Sequence, residues 1–170
     1  MENSNDRNWW LIKAKPNKDE IAQSNLIRQD YETYRPLARR MKKRRGNMVE
    51  VEESLFPSYF FIHLDQTTDN WGPIRSTLGV NSIVKFGNKP AQVQTSVIEA
   101  LKRQEEEFSS RTINLDRFKK GEKVIINDGP FLGYEGIFQN YDGEQRAFLL
   151  IDLLQKETRM AISTASLSTA

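Results

Sequence analysis

The sequence predicts an α+β protein in two parts, a split βαβ sandwich followed by a smaller C-terminal unit. Three observations carry the prediction. From Tyr59 to Leu64, five of six side chains are large and apolar or aromatic, with Pro57 on one side and Asp65-Gln66-Thr67-Thr68 on the other; such a run suits a strand buried on both faces. Around it, stretches of helical and strand periodicity alternate. Beyond them Glu105-Glu106-Glu107 and Ser109-Ser110-Arg111-Thr112-Ile113-Asn114 form a polar shift, which sets the units at residues 1–107, a linker at 108–117 and a second unit at 118–170.

Composition narrows the class. A chain of 170 residues with 38% apolar and 10% aromatic residues can fill a core, so it is no disordered tail. No apolar run approaches ~20 residues and the N-terminus is polar, so neither a membrane span nor a signal peptide is expected. Without cysteine there is no disulfide framework and no thiolate metal site, which fits a reducing, cytoplasmic setting. The net charge of +2 is nearly balanced, so any pull on nucleic acid must come from local clusters.

Taken in order, Trp9-Trp10-Leu11-Ile12 reads as the first strand. Asn17 then offers an N-cap with Glu20 three residues on, opening a helix whose apolar stripe is Ile21, Ala22 and Leu26. Lys13, Lys15 and Lys18 gather at this handover and form a candidate phosphate patch. Arg39, Arg40, Lys42, Lys43, Arg44 and Arg45 fill six of seven positions before Gly46. A run that repels itself belongs on an exposed hairpin tip, where each phosphate neutralised would steepen salt dependence. Glu50, Glu52 and Glu53 flank Val51 in the strand leaving the tip.

After the central strand, Trp71, Ile74 and Leu78 mark one face of a short helix, stopped by Gly79. Val80 to Phe86 follows as a strand and Gly87-Asn88-Lys89-Pro90 as a turn. Ser96 and Glu99 open a last helix in this unit, with Val97, Ile98, Leu101 and Phe108 on its buried face.

Leu55-Phe56-Pro57-Ser58-Tyr59-Phe60-Phe61-Ile62 resembles the "LFPGYLFV" signature of the NusG/RfaH family of transcription elongation factors. Trp9-Trp10 is similar to the family's opening Trp-Tyr strand, Thr77-Leu78-Gly79-Val80 to its "TPGV" or "TRGV", and Val84-Lys85-Phe86-Gly87 to the next strand of its RfaH-like branch. Phe118 to Phe138, with Asp128-Gly129-Pro130-Phe131 and Gly133 and Gly136, resembles the KOW motif, whose glycines turn the backbone of a small five-stranded barrel. The resemblance implies a partner, the clamp helices of RNA polymerase, held by an exposed apolar patch of Tyr59, Phe61, Ile83, Phe86 and Ile98. It also implies contact with non-template DNA through Lys15, Lys18, Asn25 and Arg75, and a ribosomal protein or termination factor at the C-terminal unit; Arg44 and Arg45, at the tip of the basic run, are candidate DNA-backbone contacts on their charge. The factor would be a monomer that needs no cofactor, suppressing pausing and termination.

Arg146 to Glu157 departs from the valine-rich strands of ordinary family members: four leucines and an alanine favour helix. Here the sequence is similar to the RfaH-like branch, whose C-terminal unit folds either as a helical hairpin against the first unit or, once released, as a barrel. A helix through Val124–Phe138 would carry Gly133 and Gly136 at about 1 kcal/mol each, a cost only packing against another surface offsets. Closing over the apolar patch would hide the polymerase site, and the closed, autoinhibited form is the expected state of the isolated chain. Glu53 and Arg146 stand at positions similar to that branch's interdomain salt bridge. Other positions differ from it: Asn70-Trp71-Gly72 replaces a polar gate-loop segment, Ile21 is apolar, and Leu78 replaces an arginine.

Other classes fit less well. The one histidine, His63, lies in the buried strand as satisfied core, and no cysteine nucleophile, phosphate-cradling glycine loop or His/carboxylate metal spacing points to an enzyme. A housekeeping NusG paralogue without autoinhibition and a ribosome-associated KOW RNA-binding protein remain as alternatives.

Overall fold

The structure, a computed structural model, describes residues 7–111, 129–134, 137 and 142–168. Most of the glycine-punctuated stretch 118–138 lies outside the described residues, as do the side chains of Arg40 and Phe108.

The fold is mixed helix and sheet, built around β1 (Arg7–Ala14), which pairs antiparallel with β5 (Tyr59–Asp65) along nearly its whole length. β2 (Glu32–Tyr34) extends the sheet beyond β5, while β6 (Val80–Ile83) and β9 (Gln92–Val93) pair with the other edge of β1. Of these, β2 and β9 have too few residues to show a period in the sequence. The predicted single strand Val80 to Phe86 is broken: Lys85–Phe86 becomes β7, which turns back through Gly87 to pair with β8 (Lys89–Pro90).

Alternation along β1 and β5 divides the interior into two layers, because opposite residues of an antiparallel pair share a face. Trp10, Ile12, Ala14, Phe60, Ile62 and Leu64 face α1 (Asp19–Arg28) and α2 (Gly72–Ser76), burying Ala22, Leu26 and Ile74. Trp9, Leu11 and Phe61 face the other way, toward α3 (Thr95–Arg111) with its buried Val97, Ile98 and Leu101. Each buried large side chain contributes about 1.5–3 kcal/mol of apolar transfer, so the central strand anchors both layers.

Several boundaries differ from expectation. Asn17 does not cap α1; it sits in a left-handed turn (φ 61°), and the helix starts at Asp19, whose carboxylate instead accepts the Ser58 N–H at 2.7 Å. Ile21 is 41% exposed and off the buried stripe. α2 ends at Ser76, short of Gly79, so Leu78 is carried out to solvent at 72% exposure. Gly79 instead permits a close approach of backbones: its φ is +94°, and a β-carbon there would come within 2.9 Å of the Ala22 backbone nitrogen. The helix α3 runs on to Arg111, through the first residues assigned to the linker.

The basic run forms β3 (Leu37–Arg44), joined to β4 (Asn47–Ser54) in a separate two-stranded sheet. Arg45 and Gly46 both have positive φ, the tight hairpin turn expected of such a tip.

At the C-terminal end, Gly129–Phe131 makes a 3-10 turn and Gly143–Ser168 forms α4. Asp142 caps α4 reciprocally with Gln145: its carboxylate accepts the Gln145 N–H at 2.9 Å, and the Gln145 amide oxygen accepts the Asp142 N–H at 3.2 Å. No helix among the described residues is long and apolar enough to cross a membrane.

Candidate protein-binding face

The α3 side of the sheet is where the sequence-predicted patch collects. Phe61 is fully buried there, stacked on Tyr34 with ring centroids 6.2 Å apart and meeting Phe56 edge-on at 6.4 Å. Ile98 is buried beside it, and Tyr59 and Phe86 are half-buried against the same cluster. Ile83 is not part of this face. It stands opposite Ile12 in the β1–β6 register, so its side chain falls in the α1 layer. Leu55, Phe56, Val97 and Leu101 are buried in the same cluster, Leu55 and Phe56 from the signature segment.

That face is covered. Ala147, Leu150, Leu153 and Leu154 recur at helical spacing along α4 and are buried in the cluster of Phe61 and Ile98, together with Phe131 and Ile137. Phe148, on α4, is 74% exposed, and Glu144, Gln145, Gln155, Lys156 and Arg159 are exposed with it.

A buried cation fastens the start of α4. Arg146 is 6% exposed; its Nε donates to the Leu55 carbonyl at 2.6 Å, and one terminal nitrogen reaches Glu53 Oε1 at 3.2 Å and the Ser54 carbonyl at 3.4 Å. The guanidinium thus reads two backbone carbonyls and one carboxylate at the β4–β5 connection, in the fork geometry for which arginine is suited. Further along, Lys156 bridges to Asp152 at 3.1 Å and lies 5.5 Å from the Tyr134 ring centre. Hydrogen bonds to Tyr134 and Asp152 raise the Lys156 pKa.

Beside the cover, the Tyr34 hydroxyl donates to Glu105 Oε2 at 2.5 Å, and the Lys102 ammonium lies over both Tyr34 and Trp9, at 5.2 and 5.5 Å. Burial first, then the Glu105 carboxylate, pushes the Tyr34 hydroxyl far above its ordinary pKa. His63 is half-buried rather than sealed in the core: it stacks on Trp9 at 4.6 Å, and its Nδ1 is 2.8 Å from Glu32 Oε2.

The candidate DNA contacts fall in two places. Lys15 and Lys18 lie in the exposed turn between β1 and α1, where the Lys15 N–H donates to the Gly79 carbonyl at 2.8 Å. The Asn25 side-chain amide donates to the Leu78 carbonyl at 3.1 Å, and both residues line an open depression of about 370 Å³ with Arg28, Gln29, Pro73, Ser76 and Thr77. Arg75 is exposed on the last turn of α2. Arg44 and Arg45 are exposed on the separate hairpin.

The family profile described as "Transcription termination factor nusG" matches residues 7–102, more than half of the chain. The chain belongs to the NusG family. The activity of this family is transcription termination and antitermination, and the relatives carry it in their names. The "Transcription termination/antitermination protein NusG" of Halalkalibacterium halodurans is 23% identical over 166 residues, covering 90% of this chain and 93% of the relative. The NusG of Rickettsia felis is 28% identical over 121 residues, covering 71% of this chain, which spans 63% of that relative's length. A solved structure described as "Domain interaction in Thermotoga maritima NusG" aligns with a TM-score of 0.38 and 16% identity, covering 74% of this chain and 75% of the other. The family profile ends inside α3, so α4 lies beyond the residues that the profile matches.

Proposed function

We propose that this chain is a NusG-family factor that holds the clamp helices of RNA polymerase on the apolar face of Tyr59, Phe61, Phe86 and Ile98, suppressing pausing and termination, and that α4 is an autoinhibitory cover over that face. One observation carries the reading: α4 buries an apolar stripe against the same side chains that the family resemblance assigns to the partner, so cover and partner compete for one surface. An uncovered apolar face of this size on an isolated chain would mark a protein interface. The units 1–107 and 118–170, joined by 108–117, are the two parts that separate when the cover leaves, after which the second unit is free to form a barrel and meet a ribosomal protein or termination factor. Lys15, Lys18, Asn25 and Arg75 contact non-template DNA, with Arg44 and Arg45 on the hairpin. The factor acts as a monomer in the cytoplasm.

A housekeeping NusG without a closed state is the second reading, favoured by relatives that are themselves named NusG. Binding of core RNA polymerase to the full chain, without DNA, separates the two. The cover predicts tighter binding for Arg146→Ala than for the unchanged chain, and loss of that gain when Tyr59→Ser and Phe86→Ser are added. Equal binding by the unchanged chain and Arg146→Ala favours the housekeeping factor. Undiminished binding by the triple variant removes the apolar face from the interaction.

A further inference from the structure

We propose that α1 and α4, which lie on opposite faces of the sheet, are energetically coupled through the connection 54–58, so that freeing the first turns of α1 loosens the cover and shedding the cover loosens α1. The coupling rests on the reading of α4 as an autoinhibitory cover given above.

Both helices hold the same short connection between β4 and β5. From the α4 side, Arg146 donates to the Ser54 and Leu55 carbonyls, and Gly143 lies against the Pro57 ring. From the α1 side, the Asp19 carboxylate accepts the Ser58 N–H at 2.7 Å. A relay reaches the other end of the connection: Gln23 Oε1 accepts from Arg35 Nε at 2.9 Å, and Arg35 Nη1 donates to the Ser54 hydroxyl at 3.0 Å. Ser54, only 8% exposed, therefore carries α1 on its side chain and α4 on its carbonyl. Next to it Leu55 and Phe56 are packed into the cluster under α4. Close-packed interiors pass displacement on rather than absorb it.

The grips of α1 are strong relative to the helix they hold. It has ten residues and buries only Ala22 and Leu26. Helices shorter than about 12–15 residues are marginal by themselves, so tertiary fastenings decide where this one sits. The Asp19 and Arg35 bonds are charge-assisted, the stronger kind of hydrogen bond. Among the described residues no carboxylate pairs with Arg35, so the guanidinium is committed to Gln23 and Ser54. Gln23 is oriented in turn by its own bond to Thr33 Oγ1 at 3.2 Å. Docking of α4 is the two-state element that coupling requires, and α1 biases it by fixing Ser54 and Ser58 where Arg146 and Gly143 meet the connection.

Hydrogen exchange of the full-length chain tests the link. Asp19→Ala with Gln23→Ala removes both grips of α1 and alters no residue of the covered cluster. It is expected to speed exchange across Ala147–Leu154 about fivefold or more, the lower end of usual coupling between sites, with β1 and β5 unchanged. Ser54→Ala takes the hydroxyl from Arg35 and leaves the carbonyl for Arg146; it is expected to act in the same direction, and it serves where the double variant does not fold. By reciprocity, Arg146→Ala is expected to speed exchange at Gln23–Leu26 of α1 by a similar factor. Once Arg146 is gone, adding Asp19→Ala and Gln23→Ala is expected to speed α4 exchange by less than it does in the unchanged chain. Asn25→Ala, which removes the bond from α1 to the Leu78 carbonyl, is expected to leave α4 unchanged; loosening of α4 by this variant too would overturn the route through the connection. If Arg146→Ala loosens α4 while the α1 variants leave it as protected as before, the cover stands and the coupling falls. If the α1 variants loosen α4, β1 and β5 alike, or add to Arg146→Ala in full, their bonds only stabilise the fold and the coupling is overturned. If Arg146→Ala leaves α4 exchange unchanged and binds core RNA polymerase as the unchanged chain does, the cover itself falls, and the coupling with it.

Discussion

Gly143, the first residue of α4, lies against the ring of Pro57: a β-carbon on Gly143 would drive into the proline Cγ and stand 3.0 Å from its Cδ. The start of the covering helix and the turn before the central strand therefore meet at a point where only a hydrogen fits.

Gly143→Ala is expected to loosen the cover. The overlap costs about 1–3 kcal/mol, more than alanine's helix preference returns at the first turn of a helix, where its advantage over glycine is at most about 1 kcal/mol. Faster hydrogen exchange across Ala147–Leu154, with β1 and β5 unchanged, is the expected result. Unchanged protection in α4 would show that the proline yields.

The two partners of the Glu53–Arg146 pair should not be equal. Arg146→Ala takes the 2.6 Å donor from the Leu55 carbonyl and the guanidinium from beside Glu53, costing about 1.5–3 kcal/mol of α4 docking. Glu53→Gln keeps an acceptor for the guanidinium at a side chain already 29% exposed, and should cost about 1 kcal/mol. Exchange protection of Leu150 and Leu153 in the two variants measures the difference; equal losses would mean that the backbone bonds of Arg146 contribute little.

Ser58 occupies a left-handed conformation (φ 72°) where the resembled signature has glycine. Relieving that conformation in Ser58→Gly should stabilise the chain by about 1 kcal/mol, since the bond to the Asp19 carboxylate is donated by the residue 58 backbone N–H and survives. A higher urea midpoint at unchanged slope is the expected reading.

Gly79→Ala tests the other tight position. Its β-carbon would press on the backbone of Ala22 while holding a φ of +94°, so the loss should exceed the about 1 kcal/mol of backbone strain alone and approach 3 kcal/mol. A lowered denaturant midpoint accompanied by exchange changes in α1 would confirm the contact.

Tyr34 makes stability depend on alkaline pH. Its folded pKa is raised above the ordinary value of 10.0 by burial and by Glu105, so the folded state keeps a proton that the unfolded chain releases. The stabilisation is complete below pH 10 and declines as pH rises beyond it, by at most about 1.4 kcal/mol per pH unit. Denaturant midpoints above pH 10 should fall less steeply for Tyr34→Phe than for the unchanged chain.

Much of this was legible in the residues themselves. The apolar run Tyr59–Leu64 and the tryptophans of β1 declared the central pair; His63, the one polar position in the run, was read as sealed core and instead lies half-buried between Trp9 and Glu32. The leucines after Arg146 favoured the helix that α4 forms, while the sequence left a barrel open as the other state. Ile83, which the resemblance puts on the partner face, falls in the α1 layer because it pairs with Ile12, a register that the sequence does not show. Asn17 carried a capping pattern, yet Asp19 took the first turn and its carboxylate went to the Ser58 amide instead. The uneven charge of the basic hairpin was hidden, since six cations in seven positions look alike until register sets Glu50 and Glu52 against Arg39.

The strand β1 places Trp9 and Trp10, neighbours in sequence, in different layers, one stacked on His63 and the other edge-on to Trp71 at 4.9 Å. The protein thus carries a built-in optical reporter in each compartment. Loss of α4 would alter the emission of the first indole while the second stays quiet, so a spectrum that changes in two stages would register uncapping and global melting as separate events.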